Sequence, residues 1–172
     1  ETPFLPTQPI DGDYLIIIGK TKDELGGSEY FEYTHKFIGG TCPCVDFKDS
    51  KINMQAVLSL IKNRSVKSVH DCSKGGFAIA VSELSIFGNI GCNVDIESMP
   101  TTENLSSEKI LFSESHSRYL LVIDQKNLEY TKQFLSKKKT PFAVLGKFTG
   151  DHVNIMHKSK NLIKTTVDIM QK

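Results

Sequence analysis

The sequence predicts a layered α/β or α+β domain, and three observations carry that prediction. Short apolar runs of strand length alternate with longer stretches whose apolar residues recur at helical spacing. Glycine, proline, asparagine and aspartate cluster between them. A late pair of apolar runs, Phe142 to Phe148 and Val153 to Met156, flanks Thr149-Gly150-Asp151 and reads as a hairpin. At 172 residues the chain has the length of one domain and can bury a substantial core.

The elements follow in order. Pro3, Pro6 and Pro9 make residues 1–10 an extended lead-in from a preceding domain rather than a secretory signal, and the folded domain is expected over 11–172. After the turn Asp11-Gly12-Asp13, Tyr14 to Gly19 is a buried strand. Lys20 to Tyr30 holds the pair Gly26-Gly27 followed by Ser28-Glu29, and Phe37 to Val45 is a loop rich in Gly, Cys and Pro. Asp49 or Ser50 caps a helix from Lys51 to Asn63, whose Ile52, Met54, Val57, Leu58, Leu60 and Ile61 form one broad face. Val66 to Val69 is a strand, and Gly76 to Leu84 a helix ended by Gly88 and Gly91. Cys92 to Ile96 alternates as a strand, and Ser106-Ser107-Glu108 starts a short helix into Leu111. Tyr119 to Ile123 is a strand and Asn127 to Lys138 an amphipathic helix, ending in the solvated run Lys137-Lys138-Lys139. After the hairpin, Asn161 to Met170 is expected to close the chain as a helix.

Bulk properties exclude several functions. Lys+Arg 21 against Asp+Glu 20 leaves no basic surplus of the kind nucleic-acid binding needs. No apolar run approaches the length of a transmembrane helix, so no membrane partner is expected. Cys42-Pro-Cys44 is too tightly spaced for the usual redox or zinc pair, while Cys72 and Cys92 lie in apolar surroundings. Reduced thiols in a cytoplasmic protein are the expectation; a metal held by Cys42, Cys44 and His35 is the alternative.

Candidate chemistry concentrates in two polar turns. In HDCSKGGFAIAVSELS (70–85), a strand meets a helix through Asp71, Ser73 and Gly75-Gly76. Such a junction aims unpaired backbone N–H groups outward and makes an anion site. Asp71 either caps the helix or holds a metal or a ribose hydroxyl; Ser73 either caps it or bonds a phosphate. The glycines either admit a ligand or allow close packing. In LFSESHSR (111–118), Glu114 stands between Ser113 and Ser115 and ahead of Arg118. It is either an acid/base or metal-binding carboxylate, or the partner of Arg118 in a salt bridge. His70 and His116 flank the two turns, and no GxSxG elbow supports a hydrolase triad.

DELGGSEY (23–30), HDCSKGGFAIAVSELS, GNIGCNVDI (88–96), LFSESHSR and LGKFT (145–149) follow one another in an order and spacing that resembles phosphoribosylformylglycinamidine synthase. The resemblance is to the last C-terminal-type domain of its synthetase subunit, related to the C-terminal domain of aminoimidazole ribonucleotide synthetase. It implies a three-layer α/β/α domain. The whole enzyme it implies is an ATP-dependent carbon–nitrogen ligase of purine synthesis. That enzyme uses ATP and magnesium to convert formylglycinamide ribonucleotide and glutamine to formylglycinamidine ribonucleotide. The implied partners are the N-terminal domains of the same subunit, a glutaminase subunit and a small accessory subunit. The family's catalytic histidine and most of its ATP and magnesium ligands lie in earlier domains, so this chain is expected to hold no catalytic residue and no metal, and to be inactive alone. The positions matching the family's polar turns are Asp71, Ser73, Gly75, Gly76, Ser113, Glu114, Ser115 and Arg118, expected to contact a nucleotide or phosphate if a ligand is held. Two departures stand out: Lys74 where the family carries an acid, which argues against a metal there, and His116 where it often carries proline.

Overall fold

The computed structural model describes residues 6–172. Its elements, in chain order, are β1 (Tyr14–Ile18), α1 (Glu29–His35), α2 (Phe47–Lys62), β2 (Ser68–Asp71), α3 (Gly76–Gly88) and β3 (Cys92–Asp95). They continue with α4 (Ser107–Phe112), β4 (Tyr119–Ile123), α5 (Gln125–Lys137), β5 (Phe142–Phe148), β6 (His152–His157), β7 (Lys160–Thr166) and α6 (Val167–Met170). The strands form a single seven-stranded mixed sheet in the order β2-β4-β1-β5-β3-β6-β7. Every neighbouring pair is antiparallel except β3 and β6.

The central strands are apolar on both faces because both faces are covered. Leu15 and Ile17 of β1, with Leu120 and Val122 of β4, pack under α3 and α4. The alternate residues Ile16, Ile18, Leu121 and Ile123 pack under α2 and α5. The period of two along a strand sends each apolar residue to one helical layer or the other. Helix, sheet and helix therefore form the three layers that the family resemblance implies.

Several expectations need correction. Phe142–Phe148 and His152–His157 do not form a hairpin with each other: β3 lies between them, paired antiparallel with β5 and parallel with β6. The turn after β5 crosses over β3, with the Gly91 N–H donating to the Gly150 carbonyl at 2.8 Å and the Thr149 N–H to Gly91 at 2.9 Å. Two apolar runs flanking a glycine look alike whether their strands are adjacent or separated by one, because the partner strand, Cys92–Asp95, comes from far upstream. The closing helix is instead the strand β7 followed by the single turn α6. A two-residue turn at Lys158 and Ser159, with φ of 50° and 61°, folds β7 back on β6, and this pairing overrides the segment's weak helical spacing. Helix α2 begins at Phe47, capped by Asp46 rather than Asp49 or Ser50; the Asp46 carboxylate accepts from the Lys48 and Asp49 N–H groups at 2.9 and 3.0 Å. Helix α1 was not foreseen. It buries none of its residues, so it lacks the apolar stripe that marks a helix in a sequence.

Gly146 shows how tightly the layers constrain the sheet. A Cβ built there lies 1.9 Å from the carbonyl oxygen of Asn93 on β3. Gly146→Ala is expected to lower stability by about 1–3 kcal/mol, the usual cost of overpacking, measured by urea unfolding. A midpoint equal to that of the parent chain would show that β3 and β5 do not approach so closely.

Candidate functional site

Strand β2 ends at Asp71, and the Cys72 N–H donates to the Arg118 carbonyl at 3.0 Å. This bond joins the two polar turns at their bases. The chain then enters α3 through Gly75 and Gly76, with φ of 73° and 66°. Both lie in the left-handed region that glycine adopts without penalty. Gly76 is also a packing glycine, since a Cβ on it would lie 2.6 Å from the Ser113 carbonyl oxygen.

Neither Asp71 nor Ser73 caps α3. The cap position is Gly75, without a side-chain hydrogen bond, and both polar side chains are exposed. The acceptor comes from the other turn instead. Glu114 Oε1 accepts from the Gly75 N–H at 2.8 Å and from the Glu29 N–H at 2.9 Å. One carboxylate oxygen thus serves the start of α3 and the start of α1, where negative charge is favourable. Lys74 Nζ reaches Glu29 at 2.7 Å, and this bond and charge together raise the Lys74 pKa. Tyr30 stacks on Phe112 with ring centroids 4.7 Å apart, a further tie between α1 and α4.

The remainder of the second turn is a brace. Ser113 Oγ accepts from the Glu24 N–H at 3.3 Å and Ser115 Oγ from the Lys22 N–H at 3.0 Å, while the Glu114 N–H donates to the Glu24 carbonyl at 3.2 Å. Arg118, 1% exposed, donates through Nε to the Ser115 carbonyl at 3.1 Å, and through its other nitrogens to Thr21 Oγ1 at 3.0 Å and the Ser113 carbonyl. The salt bridge to Arg118, one of the two sequence readings of Glu114, is not among the ion pairs of the described residues; each group satisfies backbone instead. Burial lowers the Arg118 pKa, against the opposing pull of Cys72, Glu24 and Glu114.

Four of the eight sequence-predicted positions, Asp71, Ser73, Glu114 and Arg118, line one open cleft of about 440 Å³. Cys42, Lys74, His116 and Tyr119 line it with them. Gly75, Gly76, Ser113 and Ser115 are buried behind it. Thr21 and Glu24 complete the brace but carry no local signal, because they stand about 90 residues away from their partners. Among the described residues no three His, Cys, Asp or Glu side chains gather in a group that could hold a metal ion. No helix of the described residues is long and apolar enough to cross a membrane.

The family model for the AIR synthase related protein, C-terminal domain, matches residues 11–158. The chain belongs to this family. Subunit PurL of phosphoribosylformylglycinamidine synthase from Thermococcus sibiricus is 41% identical over 157 residues, which are 90% of this chain and 21% of that protein. The corresponding subunit from Methanobrevibacter smithii is 36% identical over 142 residues, 81% of this chain and 19% of that protein. The chain therefore spans about a fifth of the length of these relatives. Among solved structures, Thermotoga maritima PurL complexed with FGAR superposes with a TM-score of 0.85 at 20% identity, over 96% of this chain and 29% of that one. Hydrogenase maturation protein HypE in complex with ATP superposes with a TM-score of 0.65 at 15% identity, over 93% of this chain and 53% of that one. At these identities the likeness is one of fold.

Two predictions follow from the site. Glu114→Ala strands the N–H groups of Gly75 and Glu29 and is expected to lower stability by about 1–2 kcal/mol; Glu114→Gln, which keeps an acceptor, should lower it less. Thermal unfolding of both variants is the check, and an unchanged alanine variant would remove the carboxylate from its proposed part in the fold. The second concerns thiols. Burial pushes Cys72 up to about 11 and Cys92 up to about 12 from the ordinary 9.0. A thiol reagent at about pH 8 should titrate the exposed Cys42 and Cys44 at once and the other pair only on unfolding. The folded state holds these two protons more tightly than the unfolded state. Their stabilisation is therefore complete below pH 9.0 and falls as the pH rises from there through about 11 and 12. Denaturant unfolding across that range should show the decline, and Cys92→Ala should make it shallower.

Proposed function

We propose that this chain is the last C-terminal-type domain, over 11–172, of the synthetase subunit of a phosphoribosylformylglycinamidine synthase. The observation that carries the reading is 41% identity running through 90% of the chain, with all five ordered motifs inside the match. In the whole enzyme, ATP activates the amide oxygen of formylglycinamide ribonucleotide, and ammonia from glutamine replaces it. The ATP-dependent step and its magnesium belong to the other domains of the subunit. The glutaminase subunit, the small accessory subunit and a cytoplasmic setting belong to the same proposal.

The site supports a scaffolding part for this domain. A phosphate entering the Gly75-Gly76 turn would meet the Glu114 carboxylate already bonded to the Gly75 N–H. Around α1, Tyr33, Phe37, Ile38 and Phe47 are between 60% and 83% exposed. An apolar face of this kind on a domain that spans a fifth of its relatives' length suits burial against the rest of the subunit. A second reading, an auxiliary nucleotide site, is favoured by the cleft itself, which sets Lys74 and Arg118 beside Asp71 and Ser73.

Two measurements test this. The purified chain should release no ADP from ATP in the presence of formylglycinamide ribonucleotide and ammonia. When it replaces the matching 157 residues of the Thermococcus sibiricus subunit, synthase activity should persist. Turnover by the chain alone, or a folded chimera without activity, would overturn the assignment. For the cleft, calorimetry with ADP should show weak binding or none. Micromolar binding abolished by Asp71→Ala would make the auxiliary site live.

A further inference from the structure

The hairpin of β6 and β7 and the start of α4 enclose a second cleft that shares no residue with the one at Asp71 and Arg118. Its construction begins with the register of the hairpin. His157 pairs with Lys160 across the ladder, so the two side chains leave the same face of the sheet. Lys158 follows in the turn, at φ of 50°. Ser107 Oγ lies 2.8 Å from His157 Nδ1 and fixes the orientation of a ring that is only 9% exposed. That bond is the ring's only hydrogen bond among the described residues, and the ring lines both this cleft and an adjoining one that carries Glu97 and Glu103.

The cleft has a volume of about 640 Å³, and Leu105 and Leu162 give it an apolar wall. Neither Lys158 nor Lys160 is drawn into an ion pair among the described residues. The carboxylate in the lining, Glu108, is lowered in pKa by its own backbone N–H and by Ser106, with a smaller contribution from the charge of Lys160.

We propose that this cleft binds a phosphate monoester carried on an apolar body. Two ammonium groups outside any direct ion pair and an imidazole oriented by Ser107 match the several oxygens and double charge of a phosphate better than a single carboxylate would. The leucine wall takes the rest of the molecule, as ligand clefts combine apolar walls with a few placed polar groups. Lys160 and Leu162 lie on β7, beyond the residues matched by the family model, so the cleft is built partly from structure outside the family core.

The test is a titration of the intact chain with phenyl phosphate and with inorganic phosphate. It is followed by the His157 ring resonances and the backbone amide shifts. Phenyl phosphate should saturate, with its largest shifts at His157, Ser107 and Lys160, and inorganic phosphate should bind more weakly for want of the apolar contact. Lys158→Gln with Lys160→Gln, both at exposed positions, should weaken phenyl phosphate about tenfold. His157→Gln should weaken it to a similar degree. Glu108→Gln should tighten it, because the like charge is removed; a purely structural role for these residues would not produce that gain. Thermal unfolding checks each variant, and the exposed lysine pair and Glu108→Gln carry the test if His157→Gln fails to fold. Shifts scattered over other lysines, the absence of saturation, or affinities unmoved by the lysine and glutamate variants would overturn the proposal.

Discussion

The carboxylate of Glu114 is the contact on which the end of this domain that carries both polar turns depends. A single oxygen accepts N–H groups at the start of α1 and the start of α3, two helices whose first residues are far apart in the chain. Both helix starts would otherwise present unpaired donors and partial positive charge to the same small space. With the carboxylate in place they converge on it. The left-handed glycines let the α3 backbone approach, and Gly76 allows the 113–118 turn to lie directly against the helix. A protein anion thus occupies the kind of position where an anion-binding turn would hold a phosphate.

Arg118 makes that arrangement rigid. Its guanidinium is buried, and instead of pairing with a carboxylate it distributes its donors over two carbonyls of its own turn and the hydroxyl of Thr21. A guanidinium suits this work because its donors are planar and fixed in direction. The 21–24 segment is tied to the 113–115 segment by the two serine hydroxyls as well. Taking a charge out of water is costly unless its donors are satisfied, so the brace holds as a unit or not at all. Sheet and brace then reinforce each other, since β4 begins at Tyr119, the residue after Arg118.

Much of this could be read from local pattern. The strands Tyr14 to Ile18 and Tyr119 to Ile123 stand where their apolar runs place them, as do helices α2, α3, α4 and α5 to within a few residues. The two polar turns were legible as one site because serine, glutamate and glycine punctuate them, and four of their residues do share a cleft. What each residue does was not legible. Asp71, which one reading makes a cap, is not one, since the acceptor for the Gly75 N–H comes from Glu114, 39 residues along from that glycine. Arg118 reads as the partner of Glu114, yet both find backbone groups that only the folded chain brings near. Helix α1 and strand β7 escape a local reading because neither carries a clean period: α1 buries none of its residues fully, and β7 is an edge strand with a polar outer side.

The sequence by itself determined the fold class, the family membership that its ordered motifs announce, and the apolar runs that must be covered on both faces. These depend on period and composition, which are properties of neighbouring residues. Tertiary structure alone decided that β3 separates β5 from β6, that one glutamate serves two helices, and that Ser107 meets His157 beside Lys160. Each of these joins residues dozens of positions apart. The free energy of such a contact depends on which partner arrives and on what is desolvated when it does, and no local stretch of sequence contains either quantity.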